Sequence, residues 1–270
     1  MKSTLRHSST ILLPLLLVPC ALFARQEVLI EASGNARPAA AHLDIAQNTC
    51  EVLKNLKLDH GEVISAKWVG TGTIQVQLGF PSEPKSVPVK RHCEIAVVSR
   101  PTSDSVINFT LWMPPREDWN GKYLQLGSGG WGGTIQTSEL IGPIAQGYAV
   151  AVTDDGHQNQ DMISSVTPTW AIGRPEKVID FGYRAVHETA ALSKTALQGY
   201  FNKPASRAYF QGCSDGGREA LMEAERYPED FDGIIAGAPA NNWSHHFAGF
   251  VWNELALNAK PESRHRCASL

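Results

Sequence analysis

The sequence predicts an α/β protein built on a mostly parallel sheet, and three observations carry that expectation. Short apolar runs at 122–126, 148–152, 208–211 and 233–237 have the length and composition of buried strands. Helix-forming stretches at 181–200 and 218–226 alternate with them. Glycine-rich turns at 127–133 and 212–217 follow directly on two of the runs. Strand and helix in alternation give parallel strands with helices on both faces.

The elements before this core have a different character. Lys2 and Arg6 precede an apolar stretch at 11–23 that is too short to span a bilayer, so residues 1–24 are expected to be a cleaved export signal, with cleavage near Ala21 or Ala24. Pro14 and Pro19 weigh against a buried helix there. Residues 27–40 are small and polar and form a lead-in, and 41–51 has a short helical pattern. Strand-like runs follow at 61–69, 73–78, 92–99 and 106–113, with 81–90 read as a loop for its prolines and lysines. Residues 25–118 are therefore expected to be a β-rich extension joining the core, with 119–262 the partial core and 263–270 an aberrant or truncated tail.

Composition narrows the partners. The chain has 270 residues, 43% hydrophobic and 19% charged, with a formal net charge of −3. That length can bury a full core. The charge balance gives no basic field for nucleic acid or an anionic membrane, and neither is expected as a partner. An exported chain places its cysteines in an oxidising compartment, making the protein secreted or periplasmic. Cys50, Cys93, Cys213 and Cys267 remain after signal removal, none at zinc-site spacing. Cys50 and Cys93 flank the β-rich segment and make one sensible pair; Cys213 with Cys267 is another.

The chemistry is concentrated in Gly212-Cys213-Ser214-Asp215-Gly216, a G-x-S-x-G pattern between the run at 208–211 and the helix at 218–226. Glycines two residues either side of a serine permit a strained strand-to-helix turn that lifts its hydroxyl out of the sheet. Ser214 is thus the candidate nucleophile of an α/β-hydrolase-type site. The backbone N–H of Asp215 is one expected oxyanion donor, and Gly130 or Trp131 in the 127–133 loop supplies the second. A phosphate cradle is the competing use of that loop, but no lysine or G-x-G-x-x-G helix start accompanies it.

A base and an acid for Ser214 are harder to find. The fold requires the chain order Ser, acid, His. Asp230 and Asp232 precede the run at 233–237 and so sit at the wrong edge of the sheet. His245 and His246 follow it, but with no acid between; a local pair of His245 with Glu254 is the remaining possibility. Asp154, Asp155 and His157 lie on the active-site edge, where an Asx-type turn is the favoured use. His187 is read as packed or surface-exposed, and Asp232 as orienting a loop or capping a turn. Trp131 and Trp170 serve equally well as core or as a stacking surface. No cluster suggests a metal site.

The elbow, extended to Gly217-Arg218-Glu219, resembles that of the tannase and feruloyl esterase family. So do Asp180-Phe181-Gly182-Tyr183-Arg184-Ala185-Val186-His187 and the segment from Arg226-Tyr227-Pro228-Glu229-Asp230 to Ala236-Gly237-Ala238-Pro239. The likeness runs from about Cys50 to about Pro261, and the cysteine just before the serine is its most specific element. It implies an α/β-hydrolase core that cleaves carboxylic esters of aromatic acids, with a small aromatic ester as substrate. It implies a disulfide from Cys213 to a cysteine beside the catalytic histidine, outside this chain, and carries over Cys50–Cys93 as the internal pair. It implies a lid after the strand that follows the elbow helix, often holding a structural calcium, with the triad Asp and His beyond it. Members are roughly twice this length, so lid, later strands, acid and base are expected outside this chain, leaving no cofactor within it. From Ser263 onward the sequence departs from the family pattern, as truncation, frameshift or a partial sequence would produce, and His265 and Cys267 are read as incidental. A silent fragment, or a lipase or peptidase of the same fold, are the competing readings.

Overall fold

The computed structural model describes residues 49–76, 83–159 and 167–259. The export segment, the tail from 263, His265 and Cys267 lie outside these. Nine strands are present: β1 (Gly61–Val69), β2 (Gly72–Val76), β3 (Lys85–Val89), β4 (His92–Ser99), β5 (Ile107–Met113), β6 (Lys122–Leu126), β7 (Ala149–Thr153), β8 (Arg207–Cys213) and β9 (Gly233–Gly237). The helices are α1 (Ile141–Ala145), α2 (Pro175–Ile179), α3 (Ala185–Phe201), α4 (Asp215–Arg226) and α5 (Trp243–Ala259).

Seven strands form one sheet in the order β1-β4-β5-β7-β6-β8-β9. β7, β6, β8 and β9 pair in parallel, while β1, β4 and β5 form an antiparallel meander that joins them through β5–β7. Five strands consequently run the same way, and the fold is the mostly parallel sheet with an N-terminal β-rich extension that the sequence predicts. The parallel strands end together at Leu126, Thr153, Cys213 and Gly237, and the loops that leave that edge build the site.

Side-chain alternation explains the two layers. On β7, Ala149 and Ala151 face a core that includes Val186, Ala190 and Leu197 of α3, with Phe109 and Leu111 of β5. Val150 and Val152 face Leu140 and Ile144 on the other side, with Trp112 and Leu126. Small residues under α3 let its backbone approach the sheet, and branched ones fill the opposite face. Each fully buried large apolar side chain contributes about 1.5–3 kcal/mol. Cys50 and Cys93 are bonded, with Cα atoms 5.5 Å apart, tying the chain before β1 to β4.

Three readings need correction or extension. The supposed loop at 81–90 contains β3, which pairs with β2 in a separate two-stranded ribbon with Pro88 opposite Thr73. A proline is admissible there because the ribbon has outer edges that need no N–H donor. The predicted helix at 181–200 begins earlier, at Pro175, and passes through a π turn at Asp180–Arg184 before continuing as α3. Of the predicted helix at 41–51, only its end is described: residues 49–52 are helical and run into a 3₁₀ turn, Leu53–Asn55. The sequence reading gave no helix for α5, which buries none of its side chains and exposes Phe250, Val251, Trp252 (74%) and Leu255. Among the described residues no helix is long and apolar enough to cross a membrane.

Candidate active site

Ser214 stands between the last residue of β8 and the first of α4, exposed, with φ 61° and ψ −115°. A non-glycine residue at positive φ stores backbone strain, and the surroundings must hold it there. They do so through the backbone. Ser214 N–H donates to Gly237 O at 3.0 Å, and Ser214 O accepts from Ala240 N–H at 2.8 Å and Arg218 N–H at 3.2 Å. The crossing is so tight that a Cβ on Gly212 would lie 2.2 Å from Gly216 O, and one on Gly217 would lie 2.4 Å from Gly237 O. Gly217, quoted in the sequence only as part of a motif, is thus as necessary to the bend as the G-x-S-x-G glycines.

The loop after β6 lies beside the bend. Gly127 N–H donates to Gln211 O at 2.9 Å, extending the β6–β8 pairing, and Gly216 N–H donates to Ser128 O at 2.9 Å. Residues 129–132 then form a turn closed by Gly132 N–H to Gly129 O at 3.1 Å, with Gly130 at φ 65°. Gly130 and Trp131, the expected oxyanion donors, are the two central residues of that turn. Gly129 and Gly130 are exposed and carry no Cβ that would obstruct an approaching carbonyl. Asp215 opens α4, so its N–H has no helical carbonyl behind it.

Four charged groups lie buried beneath these backbone amides. Asp215 receives Arg218 Nε at 2.6 Å and Nη2 at 3.1 Å. Arg218 also donates to Gly182 O and Phe181 O, both at 3.0 Å, using carbonyls of the π turn, and its guanidinium lies 4.3 Å from the Phe181 ring centroid. Glu219 accepts from Ser128 N–H at 3.0 Å and Ser128 Oγ at 2.9 Å. Asp155 sits under Gly132, wholly buried. Burial, then the negative Glu219 and Asp215, push the Asp155 carboxyl well above the ordinary range, and burial likewise raises Glu219. Carboxylate oxygens of Asp155, Asp215 and Glu219 lie within 4.8 Å of one another. A calcium ion does not fit them: it takes six to eight oxygens, more than these three carboxyl groups offer, and Arg218 already balances Asp215.

Each of the other candidates has its own set of contacts. Asp154 accepts from Asn108 N–H at 2.9 Å, Asn108 Nδ2 at 2.7 Å and Gly156 N–H at 3.0 Å, the last an Asx turn; burial nonetheless pushes its carboxyl up to about 6. His157 is buried and stacked on Trp170 at 3.9 Å, and burial lowers its pKa to about 4. His187 Nδ1 lies 2.6 Å from Asp230 Oδ2 with its ring stacked on Tyr227, at the opposite end of the sheet from Ser214. Asp232 orients the start of β8 by accepting from Ala208 N–H at 2.8 Å. His245 is exposed and bonds Asn242 Oδ1 at 2.9 Å. Its suggested partner Glu254 is nine residues along the same helix, about 13 Å away along the axis, so that pair does not form. Trp131 is half-buried against Phe181, Trp243 and Phe247, at centroid distances of 6.0, 4.5 and 5.5 Å, and Trp170 packs on Phe181 at 5.2 Å. Cys213 is half-buried at the end of β8, opposite Gly237.

Sequence reasoning found the bend and the loop but missed the buried charges. Asp215, Arg218, Glu219 and Glu223 recur at helical spacing on α4, a pattern that normally marks a solvent face. Here that face points inward and Leu221 is exposed.

Residues 93–265 match the family model described as tannase and feruloyl esterase. The chain is 39% identical to an uncharacterized esterase of Xanthomonas campestris pv. campestris, over 83% of this chain and 38% of that protein. It is 31% identical to a protein of Arthroderma benhamiae named "Probable feruloyl esterase", over 85% of this chain and 43% of that one. The crystal structure of feruloyl esterase B from Aspergillus oryzae superposes with a TM-score of 0.62 at 29% identity, covering 73% of this chain and 38% of that chain. The chain therefore spans about two-fifths of the length of these relatives. The sheet, its helices and the family match agree, and the chain belongs to the tannase and feruloyl esterase family, with an α/β-hydrolase-type fold.

Proposed function

We propose that this chain carries the nucleophile and the oxyanion hole of an exported carboxylic ester hydrolase acting on esters of aromatic acids. Ser214 Oγ attacks the ester carbonyl, the alcohol leaves, and water resolves the acyl-enzyme. The negative charge that develops on the carbonyl oxygen is received by the Asp215 N–H and by an N–H of Gly130 or Trp131. The observation that carries this reading is the strained, exposed Ser214 at a strand-to-helix bend, next to a turn in which Gly129 and Gly130 are exposed. The acid and base are assigned to the three-fifths of the relatives' length that has no counterpart here, as is a partner cysteine for Cys213. The aromatic side chains Trp131, Phe181, Trp243 and Phe247 around the turn support an aromatic acyl group, as does the family.

The test is hydrolysis of methyl ferulate, methyl gallate and a long-chain p-nitrophenyl ester by the protein isolated at its natural length, beside its Ser214→Ala variant. Aromatic esters should be preferred, and the variant should lose activity by at least about 10⁴-fold. Turnover that survives in the variant removes the assignment, absence of Ser214-dependent turnover leaves a silent binding surface, and preference for the long chain points to a lipase.

A further inference from the structure

The 127–133 loop is held to the nucleophile helix at one side chain. Glu219, on the first turns of α4, takes both the N–H and the Oγ of Ser128, at 3.0 and 2.9 Å, while Ser128 O takes the N–H of Gly216. Ser128 Oγ also lies 3.3 Å from Asp215 Oδ2. The residues that follow Ser128 are those whose amides face the reacting carbonyl, and the residue four before Glu219 supplies the other donor. We propose that Glu219 is a positioning residue for the ester hydrolysis: by clamping Ser128 to α4 it fixes the gap between the Asp215 amide and the Gly130–Trp131 amides. The inference rests on the reading of that loop as an oxyanion hole.

Three further observations support it. Glu219 is buried, so its two bonds to Ser128 are made without competition from water. A Cβ on Gly127 would lie 2.7 Å from Glu219 Oε2, so the loop runs directly over the carboxylate. The groups that face Glu219 give it reason to stay fixed. Asp155, beneath Gly132, has its carboxyl pushed well above the ordinary range by burial and lies within reach of it; Arg218 of the same helix has Nη2 at 3.9 Å from Oε1; and Asp215 is neutralised by that same arginine. At its far end the loop is tied independently, by Gly133 N–H to Asp154 O at 3.1 Å and Asn159 N–H to Gly133 O at 2.9 Å. Cutting the Glu219 contact should therefore loosen one end and leave the loop in place.

An oxyanion donor misplaced by about 1 Å loses on the order of 10²-fold in rate. Glu219→Ala should lower kcat by roughly that factor with KM within about threefold, because the clamp acts on the tetrahedral oxyanion and makes no contact with bound ester. Glu219→Gln should recover most of the loss, since its Oε1 can take the Ser128 N–H while its amide donates to Ser128 Oγ, which turns to Asp215. Hydrogen exchange supplies a readout that needs no turnover: the Ser128 and Gly216 amides should lose protection in the alanine variant and keep it in the glutamine variant. Wild-type kinetics in Glu219→Ala, or a loss confined to KM, with both amides still protected, would overturn the inference while Ser214-dependent turnover leaves the site assignment standing. Should the natural-length protein lack Ser214-dependent turnover, the site assignment falls and exchange alone decides the clamp. A global loss of protection in both variants would show Glu219 to be a core-stability residue and also overturn it.

Discussion

Replacing Glu223 by glutamine should stabilise the protein, increasingly so as pH rises above the ordinary carboxyl pKa. Glu223 lies on the inward face of α4, fully buried, and its two oxygens have no hydrogen-bond partner among the described residues. Burial, with the negative Asp230 and Glu219, pushes its carboxyl from 4.5 up to about 8, against a smaller pull from Lys194. The folded protein therefore holds this proton up to about pH 8, whereas the unfolded chain releases it near the ordinary value. A raised acid stabilises the fold fully below the unfolded pKa, and that contribution drains away as pH rises through the folded one. At about 1.4 kcal/mol per unit, the difference between 4.5 and about 8 is worth at most roughly 5 kcal/mol once both states are ionised. Glutamine keeps the shape and has no proton to lose. Urea unfolding of both proteins from about pH 4 to 9 should show curves that nearly coincide at the acid end, below the unfolded pKa. The variant's advantage should grow through pH 6 and 7 and level off above about 8. A pH-independent difference between the two would refute the assignment of a buried, proton-bearing Glu223.

Three further outcomes follow from the same geometry. Gly212→Ala should destabilise the fold by about 3 kcal/mol or more in denaturant titrations, because its Cβ would meet Gly216 O at 2.2 Å, backbone against backbone. Replacing Cys50 and Cys93 by serine should lower stability by roughly 2–4 kcal/mol, read by urea unfolding, without affecting the reactivity of Ser214, since the pair ties the segment before β1 to β4, far from the bend. Asp215→Ala should cost about 3 kcal/mol or more in the same titrations by leaving Arg218 buried without its principal counter-charge.

Much of the architecture is legible in the chain because it is written in local pattern. The runs that became β6, β7, β8 and β9 are short and apolar, with β7 buried along its whole length and Ile235 of the edge strand β9 still 62% exposed, and the glycines around Ser214 are demanded by a backbone crossing that few other residues allow. β3 escaped because Pro84 and Pro88 read as punctuation, although Pro88 sits in a ribbon whose outer edge needs no donor. α1 escaped because five residues are too few to show a helical period, and its one buried side chain, Ile144, packs on β7 beside Leu140 of the turn before it. The charged group under the oxyanion loop was invisible for a different reason. Asp155, Ser128 and Glu219 come from three separate loops and helices, and only the fold assembles them. The stripe Asp215, Arg218, Glu219, Glu223 looks like a wet helix face until the loop from β6 is laid over it.

The proposed chemistry turns on the Ser214 hydroxyl as the reacting group. Incubating the natural-length protein with diethyl p-nitrophenyl phosphate, then mapping the modified peptide by mass spectrometry, addresses this directly. The expected result is one diethylphosphoryl group on Ser214, with release of one equivalent of p-nitrophenol and no adduct in the Ser214→Ala variant. A phosphoryl group on another hydroxyl, such as Ser128 or Ser244, with Ser214 unmodified, would contradict it.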